Sequence, residues 1–141
     1  MGSNLTIKNI FEIENFYFQN CSTTRIEKMI LQYEVFKSAS RIKGDIIEFG
    51  VFKGISFLRF ALFKKMLCKN KSLFGFDTFD QFPKAFNKID KKQRAKFIKE
   101  AGPKSITVSS LKNFLKKKNC DHKITLVKGN IFESLPKFFN K

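Results

Sequence analysis

Three short stretches carry the residues best suited to chemistry: Glu48-Phe49-Gly50, with Gly54 four residues on; Phe76-Asp77-Thr78; and Gly129-Asn130. Glu48 sits within an otherwise apolar run, Ile46-Ile47-Glu48-Phe49, where a carboxylate is costly to bury unless something pairs with it. Gly50 lets the backbone pass close to a ligand, and Gly54 opens a helix whose free N–H groups face the same place. Asp77 ends a second apolar run and can accept hydrogen bonds from two ribose hydroxyls. These pieces read as a nucleoside cradle.

The glycine spacing narrows the choice of nucleoside. A dinucleotide fingerprint has the form G-x-G-x-x-G, and its second glycine admits a pyrophosphate. In Gly50-Val51-Phe52-Lys53-Gly54 that second position is Phe52. An acid two residues before the first glycine repels pyrophosphate and suits a cation, such as the ammonium of S-adenosylmethionine. The competing reading is a plain strand-turn-helix corner with Glu48 turned to solvent, since G-x-x-x-G alone is a weak signal.

These residues must be held by elements that the hydrophobic pattern predicts. Ile26, Ile30, Tyr33 and Val35 or Phe36 recur near helical spacing after a capping box at Thr24-x-x-Glu27, giving a helix that stops near Gly44. Asp45 to Phe49 is a short strand, and Ile55 to Cys68 a helix with Phe57, Phe60, Ala61, Phe63 and Leu67 inward. Ser72 to Phe76 is a second strand, followed by a loop with Pro83 and a basic, polar stretch. A helix over Ser105 to Lys118 and a third strand over Lys123 to Lys128 complete the series. Strands alternating with helices predict a parallel α/β sheet, whose ligands bind beyond the carboxyl ends of the strands. All three polar tips lie at such ends. The first 20 residues show no clean period.

Composition bounds the partners. With 141 residues, 43% hydrophobic, 19 Phe and no Trp, the chain has the makeup of one globular domain. The net charge of +16 would suit a polyanion, but only four of the 28 basic residues are Arg, the residue fitted to bidentate base and phosphate contacts. The lysines are scattered, apart from Lys116, Lys117 and Lys118 at a helix end where cations suit the macrodipole. Nucleic acid is therefore disfavoured as a partner. Cys21, Cys68 and Cys120 have no C-x-x-C spacing, and His122 stands alone, so neither a disulfide framework nor a zinc site is indicated. No apolar run reaches membrane-span length, and a cytoplasmic location is expected.

The segments "GDIIEFGVFKGIS", "FGFDTFDQFP", "ITVSSLKNFLKK" and "ITLVKGNIFESLP" resemble, in order and spacing, the macrocin O-methyltransferase family of class I S-adenosylmethionine-dependent methyltransferases. "STTRIEKMILQYEVFKSA" is similar to that family's lead-in helix, and "FDTFDQFP" is the most family-specific segment. The resemblance implies a partial Rossmann-like sheet, about three parallel strands in the order 3-2-1 with flanking helices. It divides the chain into an N-terminal lead-in (1–22) and an S-adenosylmethionine-binding part (23–141). By the same resemblance Glu48, Gly50 and Gly54 would hold the methionine end of the cofactor, with Ser56 near the helix N-terminus. Asp77 would bind the ribose, and Gly129 and Asn130 would edge the adenine, although an acid is common where Asn130 stands.

The implied activity is methyl transfer to a hydroxyl of a small molecule or glycan, usually on a sugar, assisted by a divalent metal such as magnesium. The acidic metal ligands of the family are expected after "ESLP", so the chain reads as the cofactor half of such an enzyme, truncated before the metal and acceptor site. A noncatalytic S-adenosyl-ligand-binding module is the alternative, and a basic nucleic-acid-binding protein a further one. The strand Asp45 to Phe49 would be central in the complete fold. Left at an edge, it predicts a homo-oligomer.

Overall fold

The computed structural model describes residues 9–83 and 87–140. The chain divides into two compact units, Met1–Val35 and Phe36–Lys141. The first contains α1 (Ile10–Asn20) and most of α2 (Thr23–Ser40). Helix α1 forms where the sequence shows no clean period, started by Asn9, whose side chain accepts the N–H of Glu12 at 3.0 Å. The first eight residues of the expected lead-in lie outside the described residues.

The second unit is an α/β layer built on β1 (Ile46–Phe49), α3 (Ile55–Leu67), β2 (Leu73–Asp77), α4 (Lys88–Ala101), α5 (Val108–Lys117), β3 (Ile124–Lys128) and α6 (Ile131–Phe139). The three strands are parallel in the order β1-β2-β3, as expected. Glu48 pairs in register with Gly75 and Leu126 follows it on β3, so these side-chain positions share one face. That face carries the main core: Leu73 on the sheet, Phe57 and Ala61 of α3, and Leu111 and Leu115 of α5 are all nearly inaccessible. Full burial of each such Leu or Phe side chain stabilises by about 1.5–3 kcal/mol. The opposite face presents Phe74 and Phe76, which meet Phe138 of α6 edge-on at ring-centroid distances of 5.1 and 5.3 Å. Helices on both faces leave all three strand tips at one end.

The elements depart from the sequence pattern at several points. Helix α2 begins at Thr23, which puts Thr24 inside the first turn, its hydroxyl 2.7 Å from that of Ser22, and not at the cap. It ends at Ser40, ahead of Gly44. On α3, Leu67 is exposed and Lys64 is buried in its place. The Lys64 ammonium donates to the carbonyls of Lys69 (3.1 Å) and His122 (2.9 Å), which satisfies its burial. Helix α5 starts at Val108 because the Thr107 side chain caps it by accepting the N–H of Ser110, and Ser105 and Ile106 are committed to loop contacts.

Besides α1, two helices stand where the pattern predicts none. Helix α4 is strongly polar, so no apolar stripe announces it; its signals are the cap Asn87, which accepts from Asp90 N–H, and the stop Gly102 at φ 80°. Helix α6 contains Pro136, which argues against a helix from sequence, yet it is capped at Asn130 and holds Phe138 against the sheet.

Candidate active site

The glycine loop is shaped by backbone conformation. Gly50 and Gly54 adopt φ of 81° and 80°, the left-handed region that side chains disfavour. Space around the two differs. A Cβ on Gly50 would meet nothing within 4 Å, whereas one on Gly54 would stand 3.3 Å from Leu111 Cδ1 and 3.5 Å from Ile106 Cγ2. Gly50 thus borders open space, and Gly54 is the point where the loop packs onto the core. Between them Phe52 is also left-handed, at φ 48°, as is Phe79 after β2, at φ 49°.

The carboxylate of Asp77 joins these two strained positions. Its Oδ2 accepts the N–H of Phe52 at 2.9 Å, and its Oδ1 accepts the N–H of Phe79 at 2.7 Å and the hydroxyl of Ser105 at 2.9 Å. The hydroxyl of Thr78 lies 3.3 Å from Oδ1 as well. The backbone carbonyl of Asp77 accepts the N–H of Gly129, at 2.9 Å, tying the tip of β2 to the tip of β3. Glu48 turns away from this knot toward α3, where the Ser56 hydroxyl donates to its Oε1. A hydroxyl in the first turn of the helix is therefore one partner of the strand-tip acid.

A cleft of about 630 Å³ opens across the three strand tips. Gly50, Asp77, Thr78, Ser105, Gly129 and Asn130 supply its backbone and polar edges. Its walls are aromatic: Phe49 and Phe76 on one side, and Phe52, Phe82 and Phe97 on another, the last three packed mutually at 5.2 to 5.4 Å. Helix α4 brings Phe97 there and also carries Arg94, whose guanidinium donates to the carbonyls of Phe82 and Pro83 at 3.2 and 3.0 Å. Asn130 spends its Oδ1 on capping α6, accepting Phe132 N–H at 3.1 Å, which leaves its amide N–H groups for a ligand.

Of the seven residues singled out from sequence, the structure brings Gly50, Asp77, Gly129 and Asn130 to one cleft. Glu48, Gly54 and Ser56 do not line it; they brace the loop from behind. Phe49, Phe76 and Thr78 line the cleft from the strand-tip stretches themselves, whereas Ser105, Phe82 and Phe97 were not legible as site residues. Ser105 reaches Asp77 only through the tertiary fold, 28 residues away in sequence.

The cleft suits an S-adenosyl ligand. Its volume lies within the range of small-molecule sites, its walls offer π faces to a purine or a sulfonium cation, and a carboxylate stands at its edge. The divalent metal fares differently. Among the described residues no group of three His, Cys, Asp or Glu side chains could hold one, so they provide no donor set for it. No helix of the described residues is long and apolar enough to cross a membrane.

The fold is that of solved methyltransferases. The crystal structure of CalS11, a calicheamicin methyltransferase, superposes with a TM-score of 0.72 at 20% identity, over 96% of this chain and 56% of that one. The apo structure of CalS11, described as a TDP-rhamnose 3'-O-methyltransferase of calicheamicin biosynthesis, gives 0.55 at 17% identity, over 96% and 55%. The chain thus spans little more than half the length of these structures. No curated protein sequence matches it. The sequence model of the macrocin O-methyltransferase family, TylF, matches residues 23–141, and the chain belongs to that family.

Proposed function

We propose that this chain is the S-adenosylmethionine-binding part of an O-methyltransferase acting on a hydroxyl of a sugar or glycan. The observation that carries the reading is the convergence of Gly50, Asp77, Gly129 and Asn130 on one aromatic-walled cleft at the carboxyl ends of the strands. Bound there, the cofactor would supply an electrophilic methyl group to an acceptor oxygen. The residues of this chain bind and orient. Gly50 gives the ligand close access to the backbone, the aromatic walls exclude water and face the sulfonium, and Asn130 offers amide donors to the adenine edge. Glu48 and Ser56 fix the start of α3 beside the methionine end. In this reading residues 23–141 form the cofactor-binding part and 1–22 a lead-in.

The sugar acceptor rests on family membership together with the TDP-rhamnose 3'-O-methyltransferase activity of CalS11. Metal assistance, where it operates, would draw on ligands outside the described residues. Three free thiols, Cys21, Cys68 and Cys120, suit a reducing compartment such as the cytoplasm.

Calorimetric titration of the full chain with S-adenosylhomocysteine tests the reading. Saturable one-to-one binding is expected, lost when adenine-edge and ribose contacts are removed from the ligand. Heats no larger than dilution, with no shift in melting temperature at millimolar ligand, would overturn it.

A further inference from the structure

We propose that Asp77 is a positioning residue whose carboxylate holds the glycine loop in the shape that receives the ligand, a role that rests on the cofactor-binding reading of the cleft. An ionised carboxylate has about four acceptor sites. Three are taken by Phe52 N–H, Phe79 N–H and Ser105 Oγ–H, and Thr78 Oγ1 stands at 3.3 Å. A ribose approaching Asp77 therefore meets a carboxylate already engaged from both sides. What those bonds do is local and mechanical. Phe52 and Phe79 are the two non-glycine residues near the cleft in left-handed conformation, each an unfavourable state for a bulky side chain. Both have their N–H groups on the same carboxylate, and charge-assisted hydrogen bonds of this kind offset the backbone strain.

Ser105 extends the staple to a third segment. Its N–H donates to Asp80 O at 2.8 Å, its hydroxyl to Asp77, and the N–H of its neighbour Ile106 to Phe52 O at 2.7 Å. The loop after β1, the turn after β2 and the lead into α5 thus meet at one carboxylate. Phe52 is also the ring that joins Phe82 and Phe97 in the cleft wall, so releasing its N–H would disturb the wall as well as the loop.

The test compares Asp77→Asn with the unchanged chain by amide hydrogen exchange without ligand and by S-adenosylhomocysteine titration. The amide keeps one acceptor and replaces the other with a donor that must face Phe52 N–H or the Phe79 and Ser105 side. Exchange at Phe52 or Phe79 should rise roughly tenfold or more, with β3 amides unchanged, and ligand affinity should fall in parallel. Unchanged exchange at both amides with weakened ligand binding would overturn the proposal and leave Asp77 as a direct ligand contact. If Asp77→Asn does not fold, Ser105→Ala serves instead. Faster exchange at Phe52 and Ile106 and several-fold weaker binding, both restored by Ser105→Thr, would support the staple; exchange identical to the parent would overturn it. Failure of the parent chain to bind S-adenosylhomocysteine would instead sink the cofactor reading, which the ligand-free exchange data do not depend on.

Discussion

The ring of Phe57 lies on Gly75 so closely that a Cβ at that glycine would stand 2.6 Å from Phe57 Cε2 and 3.0 Å from Val51 Cγ2. Glycine in mid-strand is otherwise unfavourable, and here it lets α3 seat a fully buried aromatic directly on the sheet. Gly75→Ala should therefore destabilise by about 1–3 kcal/mol, the range for overpacking a core. Urea denaturation checks this. Because Val51 adjoins Phe52, the same variant should also weaken S-adenosylhomocysteine binding; an unshifted urea midpoint would show that the core yields without cost.

The two loop glycines should separate by role. Gly54→Ala meets both a left-handed backbone and the Leu111 and Ile106 side chains, whereas Gly50→Ala meets only the backbone term. The backbone term alone is about 1–2 kcal/mol. Gly54→Ala is expected to lower the melting temperature more than Gly50→Ala, and Gly50→Ala to lose more ligand affinity relative to its stability loss, because Gly50 borders the cleft. The reverse ranking in both measurements would contradict this division.

How far the sequence discloses this architecture follows from where the signals are local. The three strands are apolar runs of four or five residues ending at turn or polar residues, so their ends and the tips at Gly50, Asp77 and Gly129 could be read directly. The parallel sense of the sheet followed from alternation with helices, and the strand order from the family resemblance. Helix α4 was not legible because its polar composition carries no inward stripe, and α6 because Pro136 masks a capped helix. Burial of Lys64 in place of Leu67 depends on carbonyls from Lys69 and His122, the second 58 residues away. Ser105 on Asp77 has the same character: a contact made by the fold between segments with no shared local pattern.

Lys64 should leave a signature in alkaline stability. Burial holds its pKa below the ordinary 10.5, and the cationic Lys123 pushes in the same direction, while the sulfurs of Cys68 and Cys120 oppose. Between the lowered value and 10.5 the unfolded chain binds the Lys64 proton more fully than the folded one, so this group adds stability as pH rises through that window. Burial raises the nearby Cys68 thiol above 9.0, which acts in the opposite sense as it ionises. In a Cys68→Ala background, the stability difference between Lys64 and Lys64→Met chains should grow in favour of lysine toward pH 10.5. A flat or falling difference would contradict the buried-ammonium account.

Asp77 and Glu48 should differ in their effect on the ligand. Asp77→Ala removes a group that holds three loop donors at the cleft and should weaken S-adenosylhomocysteine binding by about 1.5–3 kcal/mol, the range for hydrogen bonds to a charged group. Glu48→Gln keeps an acceptor for Ser56 and stands behind the loop, so it should weaken binding less. Calorimetry on both folded variants decides, and equal affinity across parent and variants would remove these acids from the site.

Strand β1 raises the question of assembly. Among the described residues β2 is its one neighbouring strand, and Phe49 at its tip is 51% exposed. A short apolar strand with one unpaired edge is a template for pairing with another chain, and isologous pairing of two such edges about a two-fold axis is the simplest way to close it. The net charge of +16 opposes association at low salt and is screened as ionic strength rises, since the Debye length falls to about 8 Å near physiological salt. Light scattering is therefore expected to show a dimer whose population grows with both protein and salt concentration. Phe49→Lys, which places a cation on that edge without entering the core, should return the chain to a monomer. A parent chain that stays monomeric across micromolar to millimolar protein at physiological salt would defeat the edge-pairing model.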